Sequence, residues 1–145
     1  MNIGEIFVGG LSGRGVVLGS RGRILRTFSA QYFGQWSSDA DILHLDETVR
    51  YADGRSVRRN WAIAIDDSGR ALGYEGDRRS RVRAHSVNDH VRMIYDRPLG
   101  GGAEIAAPRV VFDLFETPDR GVEMLGRVAL LGLVLQRTQA SLKRV

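Results

Sequence analysis

Hydrophobic and polar side chains alternate with a period of two along residues 42–51 and again along residues 55–65. This alternation predicts two half-buried β-strands, and the Ala52-Asp53-Gly54 segment between them predicts a β-hairpin. A two-residue loop at Asp53-Gly54 would place the two apolar sets on opposite faces of the sheet. A three-residue loop ending at Gly54 places them on one face, and glycine adopts the left-handed conformation needed there without steric cost.

The three-residue loop fixes the register of this hairpin and sets one pair of charges on its apolar face. The expected cross-strand pairs are Tyr51 with Arg55, Val49 with Val57, Glu47 with Arg59, Leu45 with Trp61, and Leu43 with Ile63. Opposite charges that face each other across two strands stabilise the pairing by roughly 0.2–1 kcal/mol. Because charges on an apolar face must be paired or hydrated, Glu47 and Arg59 are candidates for a buried or lumenal ion pair.

Alternation separated by turn residues continues along most of the chain. Residues 1–12 are expected to form a short lead-in, either one helical turn or a plug for a barrel. Residues 128–135 are continuously apolar, so periodicity cannot distinguish strand from helix, and we favour a short helical link there. Further strands are predicted over residues 13–19, 23–36, 70–76, 77–86, 90–96, 109–116, 122–127 and 136–145. Nine or ten short strands joined by tight turns predict an all-β, antiparallel, up-and-down barrel, which removes its edges by closing.

The composition fits one domain spanning residues 1–145. The chain is 43% hydrophobic, has 18 glycines for tight turns, and contains no cysteine, which excludes disulfides and thiolate chemistry. The net charge is +4, and of the 21 basic residues only Lys143 is a lysine. We interpret this charge as a solvated arginine-rich surface rather than a surface for an acidic partner. The N-terminus shows no basic segment followed by an apolar one, and no window reaches the roughly 18 apolar residues of a membrane span, so we expect a cytoplasmic protein.

Several short motifs occur in a fixed order along the chain. They are Gly34-Gln35-Trp36, residues 43–51 followed by Ala52-Asp53-Gly54, Arg58-Arg59-Asn60-Trp61, Tyr74-Glu75-Gly76, Asn88, Asp113 and Gly126-Arg127. This order resembles an uncharacterised bacterial family, a domain of unknown function with a calycin-like (lipocalin-like) barrel, whose members are often lipoproteins. The resemblance runs roughly from Phe7 to the end. It implies the barrel fold but no established activity, and it suggests that Arg127 joins Glu47 and Arg59.

The candidate ligand-binding residues are aromatic and charged side chains that a barrel lumen could bring together. They are Trp36, Glu47, Arg59, Trp61, Tyr74 and Arg127. Our leading hypothesis is non-catalytic binding of a small apolar or amphipathic molecule, with Glu47 and Arg59 orienting its polar group. One alternative is a cofactor-independent isomerase, hydratase or cyclase, in which Glu47 is the acid or base and Arg59 or Arg127 stabilises negative charge. A further alternative is a structural module with a filled core.

Other motifs carry weaker signals. His85 and His90 flank a turn with Asp89, but their spacing matches no metal-ligand pattern. The basic residues between Arg78 and Arg83 lack the interleaved aromatic residues of single-strand binders, which favours a solvated strand face. Three consecutive glycines at 100–102 lack the Lys-Ser/Thr of a phosphate loop and are interpreted as a loop at the barrel mouth. We therefore expect no metal, no cofactor and no nucleic-acid partner, whereas the oligomeric state stays open.

Overall fold

A computed structural model of the chain describes residues 1–38, 41–76, 80–96 and 108–145, without the side chain of Asp96. Two sequence-based interpretations concern residues outside this description. These are the mouth loop that contains the three glycines at 100–102, and the first part of the basic segment, at residues 77–79.

The described residues form a closed antiparallel barrel of ten strands with one short helix, which confirms the predicted all-β fold. The elements are α1 (Ile3–Phe7), β1 (Gly9–Gly19), β2 (Ile24–Trp36), β3 (Ile42–Tyr51), β4 (Ser56–Ile65), β5 (Ala71–Glu75), β6 (Arg81–Val87), β7 (His90–Asp96), β8 (Arg109–Glu116), β9 (Val122–Leu130) and β10 (Leu133–Arg144). Each strand pairs with its sequence neighbours, and β1 pairs with β10. The sheet therefore has no free edge.

The β3–β4 hairpin has the predicted register. Glu47 pairs with Arg59 and Val49 with Val57, as expected from the three-residue loop. The loop contains three residues, because the Tyr51 amide donates to the Arg55 carbonyl at 2.8 Å. Gly54 ends the loop with φ of 92°, the left-handed conformation that favours glycine.

The lead-in residues form α1, which closes one end of the barrel. Asn2 and Glu5 form a reciprocal capping box at its N-terminus. Ile3, Ile6 and Phe7 are completely buried. Gly34 of β2 lies beneath α1, and a Cβ atom there would collide with the Phe7 carbonyl, so close backbone approach explains this glycine within a strand.

The predicted helical link near the C-terminus is wrong, since the helix of the described chain lies at the N-terminus instead. Residues 128–135 form the end of β9, a two-residue turn and the start of β10. The turn residues Leu131 and Gly132 have φ of 51° and 81°. Two left-handed residues in succession match the right-handed twist of the flanking strands and make a tight hairpin. No helix in the described residues is long and apolar enough to cross a bilayer.

Candidate ligand site in the barrel lumen

Inward-facing side chains are fully buried near α1, whereas toward the opposite end their burial varies around the barrel: Val82, Tyr95 and Val110 are at most 4% exposed there, but others are only partly buried. We term the α1 end the closed end and the opposite end the mouth. At the closed end Leu43, Ile63 and Leu114 are at most 1% exposed. Toward the mouth, five inward-facing side chains are only partly buried, namely Val49, Tyr51, Val57, Phe112 and Val128. The lumen is therefore filled at the closed end, and part of its lining on β3, β4, β8 and β9 is only partly buried toward the mouth.

Three polar side chains lie side by side on β2, β3 and β4 within the lumen, and we term them the polar row. Tyr32 is opposite Glu47, and Glu47 is opposite Arg59. Arg59 Nη1 donates to Glu47 Oε1 at 2.9 Å, and the two side chains are 18% and 11% exposed. Because strand pairing holds all three backbones in register, the row is positioned by the sheet itself.

Burial and neighbouring charge both act on the protonation of the polar row. Burial raises the pKa of Tyr32 well above its usual value, and the negative charge of Glu47 and a hydrogen bond with it add to this effect. Burial alone would lower the pKa of Arg59, but the charge of Glu47, its hydrogen bond with Arg59 and weaker contributions from other groups together outweigh burial, and the pKa is raised. At neutral pH the row therefore contains a neutral phenol and a guanidinium cation, with the Arg59 cation bonded to Glu47.

Aromatic rings extend from the polar row across the lumen. The ring centroids of Trp61 on β4 and Tyr95 on β7 are 5.8 Å apart, in an edge-to-face arrangement. Tyr95 and Phe112 on β8 stack with centroids 5.7 Å apart. The Phe112 ring lies directly against Gly126, where a Cβ atom would collide with it. These rings give the partly open lumen an apolar wall of large, rigid surface.

A second arginine faces the lumen closer to the mouth. Arg26 is opposite Val17, which is buried inside the barrel. Its guanidinium lies 5.3 Å from the centroid of the Tyr51 ring, a cation–π contact. Tyr51 also meets Phe28 edge to face at 6.0 Å. The apolar face of β2 is thus interrupted by a cation that the ring of Tyr51 accommodates.

The structure brings together three of the six predicted site residues. Glu47, Arg59 and Trp61 face the lumen on β3 and β4. Trp36 is 42% exposed and packs against Gly4 of α1, outside the closed end. Tyr74 is 43% exposed on the outer wall of β5, beside an open groove of about 680 Å³.

Arg127 is not joined to Glu47 and Arg59, contrary to the expectation from the family resemblance. On β9 its neighbour Gly126 faces the lumen against Phe112, so strand alternation turns Arg127 outward. There Arg127 Nη1 lies 3.6 Å from Asp113 Oδ2 on the outer wall of the barrel.

Asp113 is the centre of a charged cluster on that outer wall. Arg92 contacts both of its oxygens, at 2.8 and 3.2 Å, and His90 Nε2 lies 3.3 Å from Oδ1. Burial alone would raise the pKa of Asp113, but hydrogen bonding by Arg92 and the surrounding positive charge lower it. Within the described part of the chain, no three His, Asp or Glu side chains converge as a metal site. The cluster ties β7, β8 and β9 together.

Sequence reasoning did not assign Tyr95 and Phe112 to the site. The period of two along residues 90–96 places Tyr95 on the same face as Val91 and Met93, and all three side chains are buried in the structure. The contact of Tyr95 with Trp61 joins strands that are not neighbours in the sheet. Such a contact depends on the curvature of the closed barrel, for which local sequence carries no signal.

The fold and its interior define a class: a closed up-and-down antiparallel β-barrel that holds a polar row and an aromatic wall inside. The chain belongs to the family described as a protein of unknown function, DUF3833, which it matches over residues 1–106. The matched part contains Tyr32, Glu47, Arg59, Trp61 and Tyr95. No curated protein matches the chain.

Proposed function

We propose that this protein is a non-catalytic, calycin-like binder of a small amphipathic molecule, held in the mouth half of the lumen. The observation that carries the proposal is the partial exposure of inward-facing apolar side chains on β3, β4, β8 and β9 in the mouth half. Side chains at the closed end are fully buried, whereas inward-facing Val49, Val57 and Phe112 are partly exposed. A wholly filled core would bury such apolar positions throughout, so their exposure favours a cup over a structural module.

The polar row supplies a partner for the head group of such a ligand. The Arg59 guanidinium carries five N–H donors, more than a single carboxylate can accept, and Nη1 already bonds to Glu47. A carbonyl, hydroxyl or carboxylate oxygen on the ligand would accept a hydrogen bond from the remaining donors. The apolar body of the ligand would lie against Trp61, Tyr95 and Phe112.

The geometry of Glu47 favours binding over acid–base catalysis. Its carboxylate accepts a hydrogen bond from Arg59 and is also hydrogen-bonded with Tyr32, so protein groups already engage it. An acid or base must be within reach of the proton it transfers in a bound substrate. In the enzyme alternative Arg127 could not assist Glu47, because it lies on the outer wall, which leaves Arg59 of the two arginines named for that role.

Binding can be tested with a dansylated undecanoic acid, whose fluorescence rises in an apolar site. We expect the Arg59→Gln variant to bind about tenfold to a hundredfold more weakly, the effect of losing a hydrogen bond from a charged donor. Arg58→Gln is the matched control, since Arg58 is the exposed neighbour on the same strand. Circular dichroism establishes that both variants are folded.

A substitution that fills the lumen gives a second, independent test of ligand binding. Thr138 lies beside Gly126 and its side chain is partly buried, so Thr138→Phe is expected to occupy the cup and abolish probe binding without changing a charge. Native mass spectrometry of the purified protein is expected to reveal a co-purifying small molecule. Equal probe affinity for wild type, Arg59→Gln and Thr138→Phe would contradict a lumenal site.

A further inference from the structure

The hairpin that joins β9 and β10 projects an apolar tip beyond the mouth of the barrel. Residues 130–135 read Leu-Leu-Gly-Leu-Val-Leu, and pairing between β1 and β10 begins only at Gln136. Leu131 is 85% and Leu133 is 70% exposed. Exposed leucines in such a run are costly in water, and contiguous exposed apolar surface commonly marks an interaction site.

The neighbouring hairpin extends this apolar surface around the mouth. The β1–β2 hairpin lies beside β10, because Gly19 pairs with Gln136. Near its tip Ile24 and Leu25 are about half exposed or more. We term the five side chains the apolar rim: Ile24, Leu25, Leu131, Leu133 and Leu135.

Charge is distributed unequally between the two ends of the barrel. In the connecting segments that the structure describes, the mouth carries three arginines and one aspartate: Arg21, Arg23, Arg55 and Asp53. The corresponding segments at the closed end carry five aspartates and two arginines: Asp41, Asp66, Asp67, Asp89, Asp119, Arg70 and Arg120. Arg55 lies 3.5 Å from Asp53, whereas Arg21 and Arg23 lie in the connection between β1 and β2, beside the apolar rim.

We propose that the apolar rim and the arginines beside it dock the mouth of the barrel onto an anionic lipid bilayer. A narrow tip of leucines can enter the region between lipid head groups and acyl chains, while adjacent arginines contact the anionic head groups. The acidic closed end would then face away from the membrane. Two hairpin tips provide far fewer contacts than the roughly 20–30 residues of a stable protein interface, which disfavours a second copy as the occupant.

Vesicle co-sedimentation with the full chain tests the apolar part of this surface. Wild type is expected to bind vesicles of phosphatidylcholine with phosphatidylglycerol. The Leu131→Ser/Leu133→Ser variant is expected to bind them at least about tenfold more weakly, because burial of leucine drives insertion. The matched control is Leu72→Ser/Leu125→Ser, which removes two exposed leucines from the barrel wall. That control is expected to bind like wild type.

The arginines are tested in the same assay. Each arginine near an anionic surface strengthens binding by about fivefold, so Arg21→Gln/Arg23→Gln is expected to lose about 25-fold. Arg70→Gln/Arg120→Gln makes the same change in charge at the closed end and is expected to have little effect. Vesicles of phosphatidylcholine alone are expected to bind wild type weakly.

Four results would overturn the proposal. They are wild-type affinity in the Leu131→Ser/Leu133→Ser variant, an equal loss in the wall control, equal binding to neutral and anionic vesicles, or a wild-type dimer that this variant dissociates in sedimentation velocity. Membrane docking does not depend on the lumenal ligand, so Arg59→Gln is expected to bind vesicles as wild type does. Failure of the membrane proposal can therefore be distinguished from failure of the proposed ligand binding.

Discussion

Glu47 shows how a charged residue is kept inside a mostly apolar barrel. Its carboxylate accepts a hydrogen bond from Arg59 and is hydrogen-bonded with Tyr32, one partner from each neighbouring strand. Burial weakens solvent screening, so the attraction within the pair grows, but each ion also loses its hydration. A pair of this kind contributes little while both partners are present, and its loss becomes costly when one partner is removed.

Removal of the Arg59 charge is expected to destabilise the fold more than removal of an exposed charge. Arg59→Met leaves the Glu47 carboxylate poorly compensated and should lower the free energy of unfolding by about 3 kcal/mol. The control is Asp53→Asn, which breaks the exposed pair with Arg55 and should cost at most about 1 kcal/mol. Urea unfolding at neutral pH measures both. Similar losses in the two variants would show that Glu47 is hydrated rather than buried.

Asp113 is expected to make stability depend on acid pH. Its pKa is lowered in the folded protein, so its ionised form stabilises the fold above the unfolded value of 3.8, and this contribution is lost as the pH falls through the folded value. The melting temperature of wild type should exceed that of Asp113→Asn at about pH 6, and the difference should shrink below about pH 4.

The control for this pH profile is Asp67→Asn, which changes an exposed carboxylate in the β4–β5 turn. Its melting temperature should follow that of wild type throughout the range. A gap between wild type and Asp113→Asn that stays constant down to the most acid pH would contradict the assigned linkage.

At the scale of elements, α1 supplies the bottom of the barrel core. The helix is only five residues long, too short to be stable in water on its own. Its stability therefore comes from the burial of Ile3, Ile6 and Phe7 against the strands, and Phe7 meets Tyr32 with ring centroids 5.1 Å apart. The plug and the polar row are thus in direct contact.

Truncation of the plug is expected to be severe. Phe7→Ala removes a fully buried ring and should lower the free energy of unfolding by about 3–5 kcal/mol, because the surrounding barrel cannot collapse into the space. Val8→Ala, at the adjacent exposed position, should change it by about 0.5 kcal/mol at most. Chemical denaturation measures the free energy of unfolding of the two variants. A mild effect of Phe7→Ala would mean that α1 only covers an already complete core.

The β9–β10 turn is expected to gain stability from a residue that tolerates its conformation. Leu131 adopts φ of 51°, which costs a leucine about 1 kcal/mol, whereas asparagine followed by glycine is favoured in such turns. Leu131→Asn should therefore raise the melting temperature, and Leu133→Asn, in the adjoining strand, should not. A lower melting temperature for Leu131→Asn would show that the leucine is packed in a way that its exposure does not indicate.

At the scale of the whole molecule, stability depends on the seam between the first and last strands. β1 and β10 pair from Leu11 with Arg144 to Gly19 with Gln136, and Val145 donates to the Gly10 carbonyl at 3.1 Å. The Arg144 side chain also donates to the Val8 and Glu5 carbonyls. The two ends of the described chain therefore hold each other, and the barrel closes only when both are in place.

Gly13 is expected to be essential for this closure. A Cβ atom there would collide with the Ser141 backbone carbonyl, so Gly13→Ala should lower the free energy of unfolding by about 3 kcal/mol or more. Gly10→Ala, on the same strand, meets nothing closer than the Val145 side chain at 3.4 Å and should be tolerated. Thermal unfolding compares the two. Equal tolerance would show that the seam can shift without loss of the barrel.

The polar and apolar alternation by itself determined most of the strands, their up-and-down order and the β3–β4 register. Side chains on a strand alternate between faces, so the faces of Leu43, Glu47 and Arg59 were already fixed along one strand pair. The left-handed Gly54 was predictable for the same local reason, since few other residues tolerate that conformation.

Only the tertiary structure decided how deep each side chain lies and which distant strands meet. Arg59 and Arg127 both lie within strands, but the structure pairs Arg59 with Glu47 in the lumen and Arg127 with Asp113 on the outer wall. The apolar run at residues 128–135 suits a helix or a strand equally, and pairing between β9 and β10 selects the hairpin. The burial of each side chain, the shape of the lumen and the exposure of the β9–β10 hairpin tip arise from the curvature and closure of the sheet, which are properties of all ten strands together.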